Sequence, residues 1–158
     1  RVHTTDLPDQ SALLTATEDG RRLRCDPARA FVAMPGGCKK FTVRRDPAHG
    51  DYWALTSVAR RLHPDVPVER TRNELALLRS PDLRTWETRA VVLAHPDPHR
   101  HGFQYADWIF DGDDLLAAVR TAGDDHDGGA RSQHDANYLT FHRIAGFRTL
   151  RSGDGVAK

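Results

Sequence analysis

The chain repeats itself at a spacing of about 64 residues. Asn73-Glu74-Leu75-Ala76-Leu77-Leu78-Arg79-Ser80, continuing through Leu83-Arg84-Thr85-Trp86, lies over Asn137-Tyr138-Leu139-Thr140-Phe141-His142-Arg143-Ile144, continuing through Phe147-Arg148-Thr149-Leu150. Asn, Leu, Arg, Arg and Thr recur in register, and the other apolar positions keep their character. Upstream, Asp51-Tyr52-Trp53-Ala54-Leu55 matches Asp114-Leu115-Leu116-Ala117-Ala118. A unit this long, built from short alternating segments, suits a small antiparallel sheet rather than a helical pair.

The local patterns agree. Lys40-Phe41-Thr42-Val43-Arg44 alternates as a half-buried strand does, Asp46 to Gly50 turns the chain, and Tyr52 to Val58 returns. A polar connection from Arg60 to Arg72 leads to a third strand, Glu74 to Arg79, then a tight turn, Ser80 to Thr85, and a fourth strand, Trp86 to Leu93. The second unit is expected to run through strands at Phe103 to Phe110, Leu115 to Thr121, Tyr138 to Arg143 and Phe147 to Leu150, with a polar connection over Ala122 to Ala136. Before them, Ala12 to Ala16 and Arg21 to Cys25 read as short strands around an Asp19-Gly20 turn, ended by Pro35-Gly36-Gly37. The fold class is therefore all-β, with about two four-stranded antiparallel blades of a β-propeller: residues 1–37 a remnant of a preceding blade, 38–94 one blade and 103–150 another. An unrelated β-sandwich is the alternative, but it has no reason to reuse a unit in register.

Composition excludes some partners. Lys and Arg total 23 against 22 acidic residues, so no basic face for nucleic acid is expected. No apolar run reaches the roughly 20 residues that span a bilayer, so membrane insertion is not expected either. Opening at Arg1, the chain reads as a fragment whose partners would include the remaining blades, and which alone would be poorly soluble or inactive. Cys25 and Cys38 lack C-x-x-C spacing and read as free, buried thiols, with a disulfide as the alternative.

Chemistry concentrates in the connections. Six of the nine histidines fall in three segments: the one holding His63, Asp65, Arg70, Arg72 and Asn73; Ala94 to Gly102, with His95, His99 and His101; and Gly123 to Asn137, with His126 and His134. Antiparallel order should bring these connections to one end, where such folds build pockets. Asp107, among Tyr105, Trp108 and Phe110, is the candidate general acid, because a buried carboxyl has a raised pKa; a structural Asp capping a neighbouring strand is the other reading. Arg120 interrupts the apolar run Leu115 to Val119 and would bind a carboxylate or pair with Asp107 or Asp125. Gln104, Tyr105, His101, Asp125, His134, Asp135 and Asn137 form the candidate substrate-binding shell. No cofactor or catalytic metal is expected; calcium is the ion that the oxygen-rich Asp124–Asp127 loop would suit, and zinc the one that His with Asp would suit.

Ser80-Pro81-Asp82-Leu83-Arg84-Thr85-Trp86 resembles the Asp-box turn, Ser-x-Asp-x-Gly-x-Thr-Trp, of sialidase-like propellers, shorter by one residue and without its glycine. In that shorter form it looks equally like the turn of five-bladed arabinanase and fructosidase propellers. Together with Pro35 to Thr42, Tyr52 to Leu55, Gly102 to Trp108 and His134 to Arg143, it makes the chain similar to the C-terminal part of bacterial sialidase-like proteins. The resemblance implies a secreted or periplasmic glycoside hydrolase acting on a terminal acidic sugar. It implies three arginines, of which Arg120 alone has a candidate, and a Tyr–Glu pair for which Tyr105 and Tyr138 show no evident Glu. Rival readings are a polysaccharide lyase, with His134 or His101 as base and Tyr105 as acid, and a non-catalytic carbohydrate-binding propeller.

Overall fold

The structure, a computed structural model, describes residues 9–152. It is all-β, 44% strand, and the one helical turn among the described residues is a 3-10 turn at Val68–Arg70. In chain order the strands are β1 (Gln10–Ala12), β2 (Thr15–Ala16), β3 (Leu23–Arg24), β4 (Phe31–Ala33), β5 (Phe41–Arg45), β6 (Tyr52–Ser57), β7 (Glu74–Ser80), β8 (Glu87–Ala94), β9 (Gly102–Asp111), β10 (Asp114–Ala122) and β11 (Tyr138–Ile144). They form a four-stranded antiparallel sheet β5-β6-β7-β8, a three-stranded antiparallel sheet β11-β10-β9, and the two-stranded ribbons β1-β4 and β2-β3. Among the described residues no sheet closes on itself.

The four-stranded sheet is apolar on both faces, because both are covered. Ala54, Ala76 and Leu78 on one face pack with Met34, from the segment before the sheet, and Val58, which opens the connection from β6 to β7. Trp53, Leu55, Leu75, Leu77, Ala90 and Val92 on the other meet Ala106, Trp108, Leu115, Ala117 and Val119 of the three-stranded sheet. Near-continuous apolar runs such as Leu75-Ala76-Leu77-Leu78 are what a strand buried on both faces requires. Three hydrogen bonds stitch the sheets: Thr42 Oγ1 to the Ala106 carbonyl at 3.0 Å, Ser57 Oγ to the Phe103 carbonyl at 2.6 Å, and Trp108 Nε1 to the Thr42 carbonyl at 3.3 Å.

The sequence repeat is a repeat of strand register. Trp53 stands opposite Arg79 as Leu116 stands opposite Arg143; Leu55 opposite Leu77 as Ala118 opposite Phe141; Ser57 opposite Leu75 as Arg120 opposite Leu139. The ion pairs recur as well. Arg79 reaches Asp51 at 2.9 Å, and its counterpart Arg143 reaches Asp114, the counterpart of Asp51, at 2.7 Å.

Several sequence expectations change. The strand expected over Ala12 to Ala16 is split between β1 and β2, which join different ribbons, and Arg21 to Cys25 shrinks to β3. The strand expected at Phe147 to Leu150 is a turn, so the second sheet has three strands among the described residues. The repeat itself explains this, since those residues correspond to Leu83 to Trp86, the turn preceding β8 in the first unit. Phe147 is fully buried there, its ring edge-on to Trp53 at 4.8 Å and tilted against Phe110 at 5.6 Å. Both cysteines are free as expected, but Cys25 is exposed and only Cys38 is buried.

Asp82 closes its turn as its position suggests. Its carboxylate accepts the Arg84 and Thr85 N–H groups at 2.8 and 2.7 Å, and those bonds hold its pKa below the ordinary value. The Trp86 indole N–H returns to the Leu83 carbonyl at 3.1 Å.

At the same end of the molecule, Arg148 forks onto Asp46 at 2.6 and 3.0 Å, joining the β5–β6 turn to the segment after β11. Asp46 is 1% exposed, and the Arg148 hydrogen bond holds its pKa at about 2 against an ordinary 3.8. With the folded pKa depressed, the contribution is present above the unfolded value and is lost as pH falls from about 4 through about 2. That difference corresponds to roughly 2 kcal/mol. Arg148→Met, which strands the buried carboxylate, is expected to cost about 3 kcal/mol in urea unfolding at pH 7. The deficit should shrink as pH falls below 4; a constant deficit from pH 7 to pH 2 would refute the assignment.

Candidate functional site

Antiparallel order brings the ends of β6, β8 and β10 and the starts of β7, β9 and β11 to one end of the sheets. The three long connections, 58–73, 95–101 and 123–137, therefore share that end and bind one another. His95 N–H donates to the Asn73 carbonyl at 2.9 Å, Phe103 N–H to Arg72 at 2.8 Å, and Gln133 N–H to His99 at 2.6 Å. Arg100 spans two connections, its guanidinium on the carbonyls of Ala130 and Gly128. His99 also reaches Asp65 at 3.2 Å. The convergence expected from the sequence is present.

At its centre the His95 and His101 rings stack, with centroids 3.4 Å apart and planes 16° from parallel. His101 is 8% exposed, with Nδ1 3.2 Å from Asp97 Oδ2 and Nε2 3.4 Å from Asp124 Oδ2. Burial alone would push the Asp97 carboxyl up. The N–H groups of His99 and Arg100 and the His101 ring outweigh burial and hold it below the ordinary value. An ionised Asp97 can only accept, so His101 Nδ1 carries the hydrogen and Nε2 presents a lone pair in the neutral ring. His95 is the opposite tautomer, since its Nδ1 accepts the Asp97 N–H at 3.2 Å. Two acceptors, His101 Nε2 and the Asp124 carboxylate, then face each other, and a proton or cation belongs between them.

His95 of the stacked pair lines a cleft of about 310 Å³, with Val58, Arg60, Arg61, His63, Asn73 and Glu74 on one side and Ala94 and Pro96 beside it on the other. Arg60 is committed, forked onto Glu74 at 2.8 and 2.9 Å. Arg61 is exposed at the cleft wall.

His95, His101 and Asp124 are also the group among the described residues that could hold a metal, with ligand atoms within 4.8 Å of one another. Two nitrogens and one oxygen suit zinc better than calcium. Stacked rings point their in-plane lone pairs nearly parallel rather than toward a common centre, so one ring would have to turn to bind an ion.

The other candidates from the sequence fall elsewhere. Asp107 is exposed, not buried as a raised pKa required, and pairs with Arg44 at 3.0 Å. Period-2 alternation explains the correction: Ala106 and Trp108 face the core, which turns Asp107 outward. Arg120 meets neither Asp107 nor Asp125. It donates to the His134 carbonyl at 3.0 Å and lies over the Tyr105 ring at 5.5 Å. Tyr105 itself sits at a β-bulge with φ 51°, a left-handed conformation uncommon for a tyrosine. His134 approaches Asp135 at 3.7 Å on the surface.

Gln104 is a buried strap, accepting from Arg72 and donating to the Gln133 carbonyl at 2.6 Å. Asp125 is spent on its own loop. It accepts from Asn137 Nδ2 at 2.6 Å, Gly129 N–H at 2.7 Å and Asp127 N–H at 2.9 Å, and these bonds, the Asn137 one foremost, lower its pKa. Asn137 also pairs with both backbone groups of Gly123. The Asp125 carboxylate thus has backbone and amide donors as its partners.

Of the shell named from sequence, only His101 stands in the central cluster. His95, Asp97 and Asp124 were missed as a set, although the His95-x-Asp97-x-x-x-His101 spacing carries part of the signal. No protein-family model matches this chain, and neither does any curated protein or solved structure.

The tautomers are testable. Long-range 15N–1H spectra should show His101 protonated at Nδ1 and His95 at Nε2 in the neutral range. Asp97→Ala should collapse His101 to a tautomer mixture; an unchanged His101 pattern would contradict Asp97 as its anchor.

Proposed function

We propose that the two sheets are consecutive blades of a sialidase-like β-propeller, and that the cleft at their loop end takes a terminal acidic sugar for hydrolysis. The observation that carries this reading is the stacking of His95, on the cleft wall, against His101 of the Asp97–His101–Asp124 row. Arg61, His63 and His95 supply the cationic and hydrogen-bonding wall for a sugar carboxylate. The imidazolium form of His101, its Nδ1–H held by Asp97, donates the Nε2 proton to the leaving glycosidic oxygen. The Asp124 carboxylate, 3.4 Å from that nitrogen, holds the proton on Nε2 until it is transferred, and lies too close to the acid to serve as base on the opposite face of the sugar. The attacking water gives its proton to solvent, and His101 regains one from solvent. Asp107 has no part in this scheme. A lyase using Tyr105 as acid is disfavoured, because Tyr105 lies with Arg120 and His134 on the outer side of β9, away from the residues that line the cleft.

The test is turnover of sialosides, arabinosides and uronate polysaccharides, with reducing sugar and near-ultraviolet absorbance followed together. The expected result is reducing sugar without absorbance, lost about 100-fold or more in His101→Ala and nearly unchanged in Asp107→Asn. Absorbance from an unsaturated product would replace hydrolysis with elimination. Binding without turnover would replace it with a carbohydrate-binding role.

A further inference from the structure

Three side chains from two connections converge at the loop end of the sheets. The ligand atoms of His95, His101 and Asp124 lie within 4.8 Å of one another. His101 Nε2 stands 3.4 Å from Asp124 Oδ2, and in the neutral ring it turns a lone pair toward a carboxylate that can only accept. Two acceptors so close leave a place for a positive charge.

A metal needs its ligands in the right form as well as near one another. Both rings present a free lone pair without giving up a proton. The Asp97 carboxylate holds the hydrogen on His101 Nδ1 at 3.2 Å, the carboxylate–histidine arrangement that orients a ligating imidazole and raises its basicity, and so leaves Nε2 open. His95 accepts the Asp97 N–H at Nδ1, so its own lone pair is at Nδ1 and its hydrogen at Nε2. The stack has to open, and His95 is the ring that can turn. Its ring makes that one hydrogen bond among the described residues and lines the cleft, whereas His101 is buried between Asp97 and Asp124. Asp124 is positioned by its loop. The Tyr138 hydroxyl donates to the Asp124 carbonyl at 3.2 Å, and Asn137 pairs with both backbone groups of Gly123 before it. The Asp124 side chain is 81% exposed, which gives an ion a way in.

We infer that His95, His101 and Asp124 bind a zinc ion, with His95 turned out of its stack, water as the fourth ligand, and Asp97 as the positioning residue behind His101. Two imidazoles and one carboxylate select zinc over calcium, which takes six or more oxygens. The site stands on side-chain geometry and does not rest on the sugar chemistry. One consequence does rest on it: zinc and the catalytic proton take the same Nε2 lone pair, so bound zinc inhibits the proposed hydrolysis.

Calorimetric titration of the chelator-treated 158-residue chain with zinc chloride tests the site. One zinc per chain is expected, and calcium chloride should not displace it. His95→Ala and Asp124→Asn should each weaken binding about 10-fold or more, with native circular dichroism as the folding control, and Asp97→Ala should weaken it about 10- to 100-fold. His134→Ala, which removes an exposed histidine beside Asp135 and outside the cluster, should leave it unchanged. In long-range 15N–1H spectra of the wild-type chain, zinc should shift His101 Nε2 and His95 Nδ1. Absence of binding by the folded wild-type chain would overturn the inference. So would binding that persists undiminished in His95→Ala or Asp124→Asn, or that falls equally in His134→Ala, since surface histidines would then hold the ion. The titration contains no sugar, so the two readings fail separately. A chain that binds zinc and turns over no glycoside counts against the hydrolase alone, and one that hydrolyses glycosides and binds no zinc overturns the zinc site alone.

Discussion

Burial of the Trp53 face of the first sheet against the Trp108 face of the second governs the rest of the molecule. Trp53, Trp108 and Phe147 are its largest fully buried side chains, and they meet in one cluster. Aromatic rings of this size contribute heavily to a core and prefer the edge-on approaches seen here. The contact sets the relative position of β6 and β9, and with it the meeting of the loops that leave those strands. His95 and His101 come from the single connection between β8 and β9. Their neighbours Asp124 and Asn73 come from loops of different sheets, so a shift in sheet packing would move them apart. The cluster is in this sense a property of the interface.

Much of the fold is legible in the sequence because strand alternation and turn chemistry are local signals. Every strand of the two large sheets lies within a residue or two of its expected place, apart from the segment after β11. There the 64-residue offset places Phe147 over Leu83, a turn residue with a left-handed φ of 64°, and the repeat outweighs the apolar character of the segment. The N-terminal ribbons were harder, since strands of two or three residues carry almost no periodicity and depend on which distant segment pairs with them.

The site was less legible, for a physical reason. An acidic residue among aromatics suggests a desolvated carboxyl at Asp107, yet the side of a strand on which a residue falls decides its burial. The same alternation that identified β9 as a strand assigns Asp107 to the side opposite Trp108. Asp125 and Asn137 read as substrate-binding residues because they lie in a long polar connection at the loop end of the sheets. Their hydrogen bonds fold the 123–137 loop back on itself, a framing role that composition does not separate from a binding one. The pairing of His101 with Asp97 and Asp124 joins an i, i+4 contact to one across sheets, and only the first half is visible along the chain.

The tie between Asp46 and Arg148 spans 102 residues, and Phe147 beside it closes over a tryptophan from β6. The first sheet can pair its strands as soon as β8 has been made, since its register is local. Its aromatic side begins to be covered once β9 and β10 are made, but Phe147 follows β8 by more than fifty residues, and the Asp46 carboxylate waits equally long for its counterion. At a synthesis rate of roughly 5–20 residues per second that interval lasts seconds. Until Arg148 is made, the first sheet therefore carries the Asp46 carboxylate without its guanidinium partner.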